Sequence, residues 1–131
     1  MRQILLFLAL IPFICVAQKS VKVFNYKGTI NSTLHITMQI SESYDFSKDC
    51  IISYLGTYYY DKIGSDLLIR GHFNPCGQGM ADGNNHPVYI TEFNNDNIET
   101  GHFILYDIGQ KTCYGTWSNN VKTYKAILTL Q

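Results

Sequence analysis

The stretch LHITMQI, residues Leu34 to Ile40, alternates apolar and polar side chains along its whole length. A period of two is typical of a β-strand that buries one face and exposes the other. The same alternation returns along the chain, and helical periodicity is nearly absent. We therefore predict eight strands, near residues 21–28, 30–40, 50–61, 66–73, 88–94, 100–107, 112–118 and 123–130.

Most links between these strands are short enough to be hairpins, so the simplest topology is an antiparallel up-and-down meander. Eight strands close naturally into a small barrel, and closure removes the sheet edges that would otherwise aggregate. We therefore expect an all-β chain with a closed eight-stranded barrel. The alternative is an open sandwich of two sheets.

Composition excludes several classes of protein. The 131 residues carry ten Lys plus Arg against ten Asp plus Glu, so the formal net charge is zero. A balanced charge argues against phosphate-dependent binding of nucleic acid and against a polybasic membrane binder. Aromatic residues make up 14% of the chain, too many for a disordered one. One domain is expected at this length.

The N-terminus has the plan of a secretory signal peptide. Arg2 precedes an apolar run from Ile4 to Ala17 that is too short for a comfortable transmembrane helix. We expect cleavage after Ala17, which leaves residues 18–131 as a single periplasmic or secreted domain. Lipidation at Cys15 and an uncleaved anchor are the alternatives. No other segment is apolar enough to span a membrane as a helix.

Several motifs recur at intervals over most of the predicted mature chain. They are Tyr26-x-Gly28, Gly56-x-Tyr58-x-Tyr60, Gly71, Glu92, Gly101-x-Phe103, Gly115-x-Trp117 and Leu128-x-Leu130. This pattern resembles a family of small exported β-meander proteins of Bacteroidetes-type bacteria. The Gly-x-Trp motif is more distantly similar to that of avidins and lipocalins, which carry it on the first strand. The resemblance implies a barrel fold and export, and it implies no catalytic residue.

A meander places its loops alternately at two ends. Loops 41–49, 74–87 and 108–111 share one end with both termini, and loops 28–31, 61–66, 95–100 and 119–122 share the other. The first end holds the two longest loops, so we expect the recognition surface there. We expect three residues in or next to loop 74–87 to contact the ligand or partner: His72, Asp82 and His86.

Three cysteines remain after the signal peptide. Export makes a disulfide plausible, and Cys50 and Cys76 are the best-placed pair, with Cys76 and Cys113 as the alternative. Cys113 has the parity of Trp117, so we expect a buried, inert thiol. His72, Cys76, Asp82 and His86 are possible Zn²⁺ ligands, but their spacing matches no established motif. We predict neither a metal nor a cofactor.

The side chains with inward parity include a carboxylate and three large rings. Glu92 is expected to be buried, either as the centre of a hydrogen-bond network of Tyr hydroxyls or as a ligand anchor. Tyr58, Tyr60 and Trp117 either fill the core or line a ligand cavity. Tyr59 and Tyr89 face outward and suit a protein interface.

Three functions compete on this basis. The first is an exported, non-enzymatic binding module for a small ligand or for a protein partner, in an inhibitor or immunity-like role. The second is a small hydrolase that uses Glu92 with His72 or His86. The third is a structural component of the cell envelope, with self-association through the outward tyrosines as one version of this hypothesis. We favour the binding module, because the chain shows no catalytic constellation, and we predict Tyr58, Tyr60, Glu92 and Trp117 as its ligand-binding residues.

Overall fold

The computed structural model describes residues 19–45, 52–73 and 86–131. They form eight antiparallel strands and no helix, and the strands close into a barrel in sequence order, from β1 to β8 and back to β1. The prediction of an all-β, closed eight-stranded meander is confirmed, and the two-sheet alternative is wrong. The strands are β1 Lys19–Ile30, β2 Leu34–Asp45, β3 Ile52–Tyr60, β4 Leu67–Phe73, β5 Val88–Phe93, β6 Glu99–Tyr106, β7 Thr112–Ser118 and β8 Thr123–Leu130.

The alternation that predicts the strands also decides which side chains fill the barrel. Ile36, Met38 and Ile40 point inward and are almost fully buried, whereas the alternate residues His35 and Gln39 are exposed. Each of the seven remaining strands adds its inward residues to the same core. Because these side chains meet across the barrel, the interior is a packed core between the described strands. Its largest fully buried members are Tyr26, Tyr58, Phe103, Ile30, Ile36 and Met38.

The first turn lies further along the chain than predicted. β1 continues through Gly28 to Ile30, and the turn falls at 31–33, where Asn31 and Ser32 have φ angles of 58° and 61°. Asn tolerates this left-handed conformation better than most residues, so it can form the tight turn that Gly28 seemed to offer. β2 also runs longer than expected, to Asp45.

Gly28 is needed where the barrel closes. It pairs with Leu128 across the seam between β1 and β8, and a Cβ atom at this position would lie 1.9 Å from the carbonyl oxygen of Ile127. The two backbones can therefore approach only because the side chain is absent. The seam pairs five consecutive residues of each strand, from Tyr26 with Leu130 to Ile30 with Ala126.

The meander has two ends, as predicted. The turns at 31–33, 61–66, 94–98 and 119–122 lie together at what we call the short-loop end, and residues 107–111 lie at the opposite end. The predicted signal segment 1–17, the cysteines Cys50 and Cys76, and Asp82 fall outside the described residues. No helix in the described ranges is long and apolar enough to cross a membrane.

Candidate functional site

A single buried carboxylate organises the interior at the short-loop end. Glu92, near the end of β5, is only 3% exposed. Its Oε1 accepts hydrogen bonds from the Tyr58 hydroxyl and from Trp117 Nε1, the latter at 3.1 Å, and its Oε2 accepts one from Thr100 Oγ1 at 2.6 Å. All three donors are neutral. They compensate the loss of hydration that burial imposes on a carboxylate.

Trp117 reaches Glu92 because Gly101 has no side chain. The indole lies over Gly101, where a Cβ atom would stand 2.9 Å from its Cζ2. On its other side the indole stacks on Tyr124, its cross-strand partner, with ring centroids 6.1 Å apart and planes 9° from parallel. Three neighbouring strands, β6, β7 and β8, thus hold the Trp117 ring in one orientation.

Thr100 joins this network through a β-bulge. Glu92 pairs with Gly101 and the next residue, Phe93, pairs with Glu99, so Thr100 is the extra residue between them. Strict alternation would turn Thr100 outward with His102. The bulge breaks the alternation and re-aims the hydroxyl at Glu92. Sequence reasoning missed Thr100, because only the register reveals the extra residue; it also gave Tyr124 and Gly101 no role in the site.

Two tyrosines complete the cluster. Tyr58 is fully buried and meets the edges of Phe103 and Tyr60, with ring centroids 5.1 Å and 5.7 Å away. Burial, and then the nearby charge of Glu92, raise the pKa of Tyr58 far above its ordinary value. Burial also raises the pKa of Tyr60, and a hydrogen bond with Tyr58 acts in the opposite direction. Tyr60 is half-buried, so it connects the network to the surface.

The cluster of Tyr58, Tyr60, Glu92, Trp117 and Thr100 lies at the short-loop end, opposite the end where we expected the recognition surface. The cluster lies there because the inward side chains that form it are at strand ends. The recognition surface at loops 41–49 and 74–87 stays a prediction, because residues 46–51 and 74–85 fall outside the described residues. Three of the four short turns are internally hydrogen-bonded. Asn94 Oδ1 accepts from two amides of its turn, Asn119 Oδ1 accepts from two of its own, and the Tyr60 carbonyl accepts from Ile63 and Gly64.

Two grooves open beside this cluster, and each contains one of its members. The first, which we call the Tyr60 groove, has a volume of about 370 Å³ and lies between the turns at 31–33 and 61–66. Its lining residues are Thr33, Leu34, His35, Tyr60, Asp61 and Lys62. The second, of about 450 Å³, is lined by Thr100 and the polar turn at Asn119 and Asn120, among others. The buried carboxylate thus connects to both surface grooves.

The predicted loop contacts do not join this site. His72 is exposed on the outer face of β4. His86 packs beside Phe73 before β5 begins, six residues from Glu92, or about 20 Å along the chain at strand spacing. The structure therefore brings neither histidine to Glu92. Within the described residues, the His, Cys, Asp and Glu side chains form no group of three that could hold a metal ion.

Cys113 is a buried free thiol, as its parity predicts. Burial, and then the charge of Asp107, raise its pKa to about 12 from an ordinary 9.0, so the reactive thiolate is disfavoured. At the same end of the barrel, the Tyr26 hydroxyl donates to the Gln110 carbonyl at 2.9 Å and accepts from the Gly109 amide at 2.8 Å. These contacts fasten the turn at 107–111 to β1.

No protein-family model, curated protein or solved structure matches this chain. The assignment of the site therefore depends on its own geometry.

Proposed function

We propose that this chain is an exported, non-enzymatic binding module that takes a small ligand in the Tyr60 groove. The supporting observation is that Tyr60 forms one wall of an open groove and that its ring packs against Tyr58, which is hydrogen-bonded to the buried Glu92. A recognition ring with a fixed orientation loses little conformational freedom when a ligand binds. The signal-like segment from Ile4 to Ala17 supports export.

The composition of the groove suggests the class of ligand. Tyr60 and Leu34, which is 44% exposed, offer apolar contact, and the walls also include His35, Asp61 and Lys62. Small-molecule sites combine an apolar lining with a few polar groups in this way, at volumes of about 300–1,000 Å³. A small ligand with an apolar body and a polar or charged end group fits this arrangement.

The turns that form the groove support a pre-formed site. The Asp61 amide donates to the His35 carbonyl at 3.0 Å, which joins the two sides of the groove directly. Asp61 Oδ1 also accepts from Thr37 Oγ1 at 2.7 Å. These contacts fix the carboxylate of Asp61 next to Lys62 without any ligand present.

A fragment screen by protein-observed NMR tests the proposal. Ligands should shift the amide signals of Leu34, His35, Tyr60, Asp61 and Lys62. Leu34→Ala, at an exposed position, should weaken their binding by about tenfold, since loss of one apolar contact costs roughly 1.4 kcal/mol.

Tyr89→Ala is the matched control, because it removes an exposed aromatic ring on the outer face of β5, far from the groove, and should leave the affinity unchanged. Fragments that bind equally well to the Leu34 variant, or that shift only signals elsewhere, would contradict the proposal. So would a screen without any specific binder.

A further inference from the structure

A third groove lies on the outer face of the barrel, away from the short-loop site. It has a volume of about 440 Å³ and crosses β4 and β5. Arg70 and His72 line it from β4, and Tyr89, Thr91 and Phe93 line it from β5. We call this surface the outer groove. None of its residues belongs to the Glu92 network or to the Tyr60 groove.

Arg70 is the only permanent charge among these residues. Its guanidinium carbon lies 4.3 Å from the centre of the Phe93 ring, a cation–π contact that orients the side chain over β5. Within residues 19–45, 52–73 and 86–131, no carboxylate forms an ion pair with it. An arginine that is oriented and has no carboxylate partner among these residues is suited to take a carboxylate from another molecule.

The register places a histidine in the same cross-strand row as Arg70. Arg70 pairs with Thr91, and Thr91 pairs with His102, so the three residues form one row about 10 Å long at the usual spacing of strands. His72 lies two residues from Arg70 on the same face. The outward positions of β3, β4, β5 and β6 between 53–59, 68–72, 89–93 and 102–106 include no Asp or Glu. Glu99 of β6, the exposed cross-strand partner of Phe93, borders this face on one side.

Exposed apolar side chains lie next to the row of Arg70, Thr91 and His102. Tyr89 is 62% exposed, and Leu55, the cross-strand partner of Arg70, is 54% exposed. Tyrosine and arginine are the residues that most often dominate the affinity of protein interfaces. The outer groove thus combines an anchor for a carboxylate with large rings and aliphatic side chains around it.

We propose that the outer groove docks an acidic segment of a partner protein, with a carboxylate on Arg70 and a neighbouring apolar side chain against Tyr89. Charge complementarity selects this occupant. A second copy of the chain, docked by the same groove about a two-fold axis that passes through it, would bring Arg70 against its own counterpart, and like charges would oppose that contact.

Amide chemical shifts of the ¹⁵N-labelled protein test the proposal with two probe peptides. One is a pentapeptide of alternating glutamate and phenylalanine, and the other has glutamine in every glutamate position. The acidic peptide should shift the amide signals of Arg70, His72, Tyr89, Thr91 and His102. It should bind at least about tenfold more tightly than the glutamine peptide at low ionic strength.

Arg70→Glu should abolish the difference between the peptides, and Tyr89→Ala should weaken both. Lys125→Glu, an equal change of charge on the outer face of β8, is the matched control and should change neither. Equal binding of the two peptides, shifts at another surface or no shifts at all would overturn the proposal. So would a gain of binding in Arg70→Glu, or self-association of the unmodified protein through Tyr89.

Discussion

At the scale of the residue, Glu92 shows how neutral donors can hold a carboxylate inside a barrel. Tyr58, Trp117 and Thr100 each donate one hydrogen bond to it, and each donor is neutral. The parity of Glu92 with Val88 and Ile90 predicts its burial, and the tyrosine in its network was also expected. The indole contact could not be predicted, because it depends on the empty space above Gly101.

Substitutions of Glu92 test its role in stability. Glu92→Leu should cost about 3 kcal/mol, because it leaves the buried Tyr58 hydroxyl and the half-buried Trp117 indole without an acceptor. Glu92→Gln keeps one acceptor oxygen and should cost less, about 1–3 kcal/mol. Urea unfolding with an unchanged m-value measures both. Glu99→Gln, at an exposed position of β6, is the control and should stay within about 0.5 kcal/mol of the unmodified protein. Equal losses for the Leu and Gln variants would contradict the account.

The buried phenols and the thiol predict the response to alkaline pH. Burial raises the pKa of Tyr26 from 10.0 to about 12, raises the pKa of Cys113 from 9.0 to about 12, and raises the pKa of Tyr58 further. The unfolded chain loses these protons first, so the free energy of unfolding should fall as the pH rises from 9 towards 12. Urea midpoints across this range measure the slope.

Tyr58→Phe provides the comparison, because it removes one of the groups that titrate differently in the two states. Its stability should fall less steeply above pH 10 than that of the unmodified protein. Parallel slopes for the two proteins would show that Tyr58 does not contribute.

At the scale of the element, alternation predicts the strands well and their irregularities poorly. The burial pattern of β5 follows its sequence parity from Val88 to Glu92. The bulge opposite Glu92 is set by the pairing with β6, which no local pattern specifies. The hydrogen bond from the exposed Thr100 to Glu92 was therefore missed. In the same way, Gly28 looks like a turn residue locally but is required by its contact with β8.

Thr100→Val tests the bulge. It keeps the branched shape and removes the hydroxyl, so the 2.6 Å hydrogen bond to Glu92 is lost. The free energy of unfolding should fall by about 1.5 kcal/mol, the scale of a hydrogen bond to a charged group. Thr91→Val, an outward position on the neighbouring strand, should stay within about 0.5 kcal/mol. Equal effects at the two positions would mean that the Thr100 bond contributes nothing.

At the scale of the whole molecule, the number of strands and the short links predict a closed barrel, and the structure confirms it. The end that carries the candidate site could not be predicted from loop length. Tyr58, Tyr60, Glu92 and Trp117 come from β3, β5 and β7, no two of which are neighbours in the barrel. Their meeting at the short-loop end follows from where each strand stops. The alternation of the sequence predicts that these side chains point into the barrel, but it does not predict at which end of the barrel they meet.

The seam between β1 and β8 should be the most sensitive point of the closure. Gly28→Ala places a Cβ atom 1.9 Å from the Ile127 carbonyl oxygen, so the two backbones must separate. We expect a loss of at least about 3 kcal/mol and, because opened strands expose edges, a shift to oligomers. Circular dichroism and light scattering measure both effects. Lys27→Ala, the exposed neighbour, should remain a stable barrel with the same oligomeric state as the unmodified protein.

The central claim is that the buried Glu92 network positions Tyr60 for a ligand. A double-mutant cycle of Glu92→Gln and Tyr60→Phe, with the affinity of the tightest fragment as the readout, tests it most directly. Although Glu92 does not line the groove, its substitution should weaken binding. The two changes should be coupled by about 1 kcal/mol, because residues in one hydrogen-bond network are not independent. Additive effects, or an unchanged affinity in Glu92→Gln, would contradict the claim.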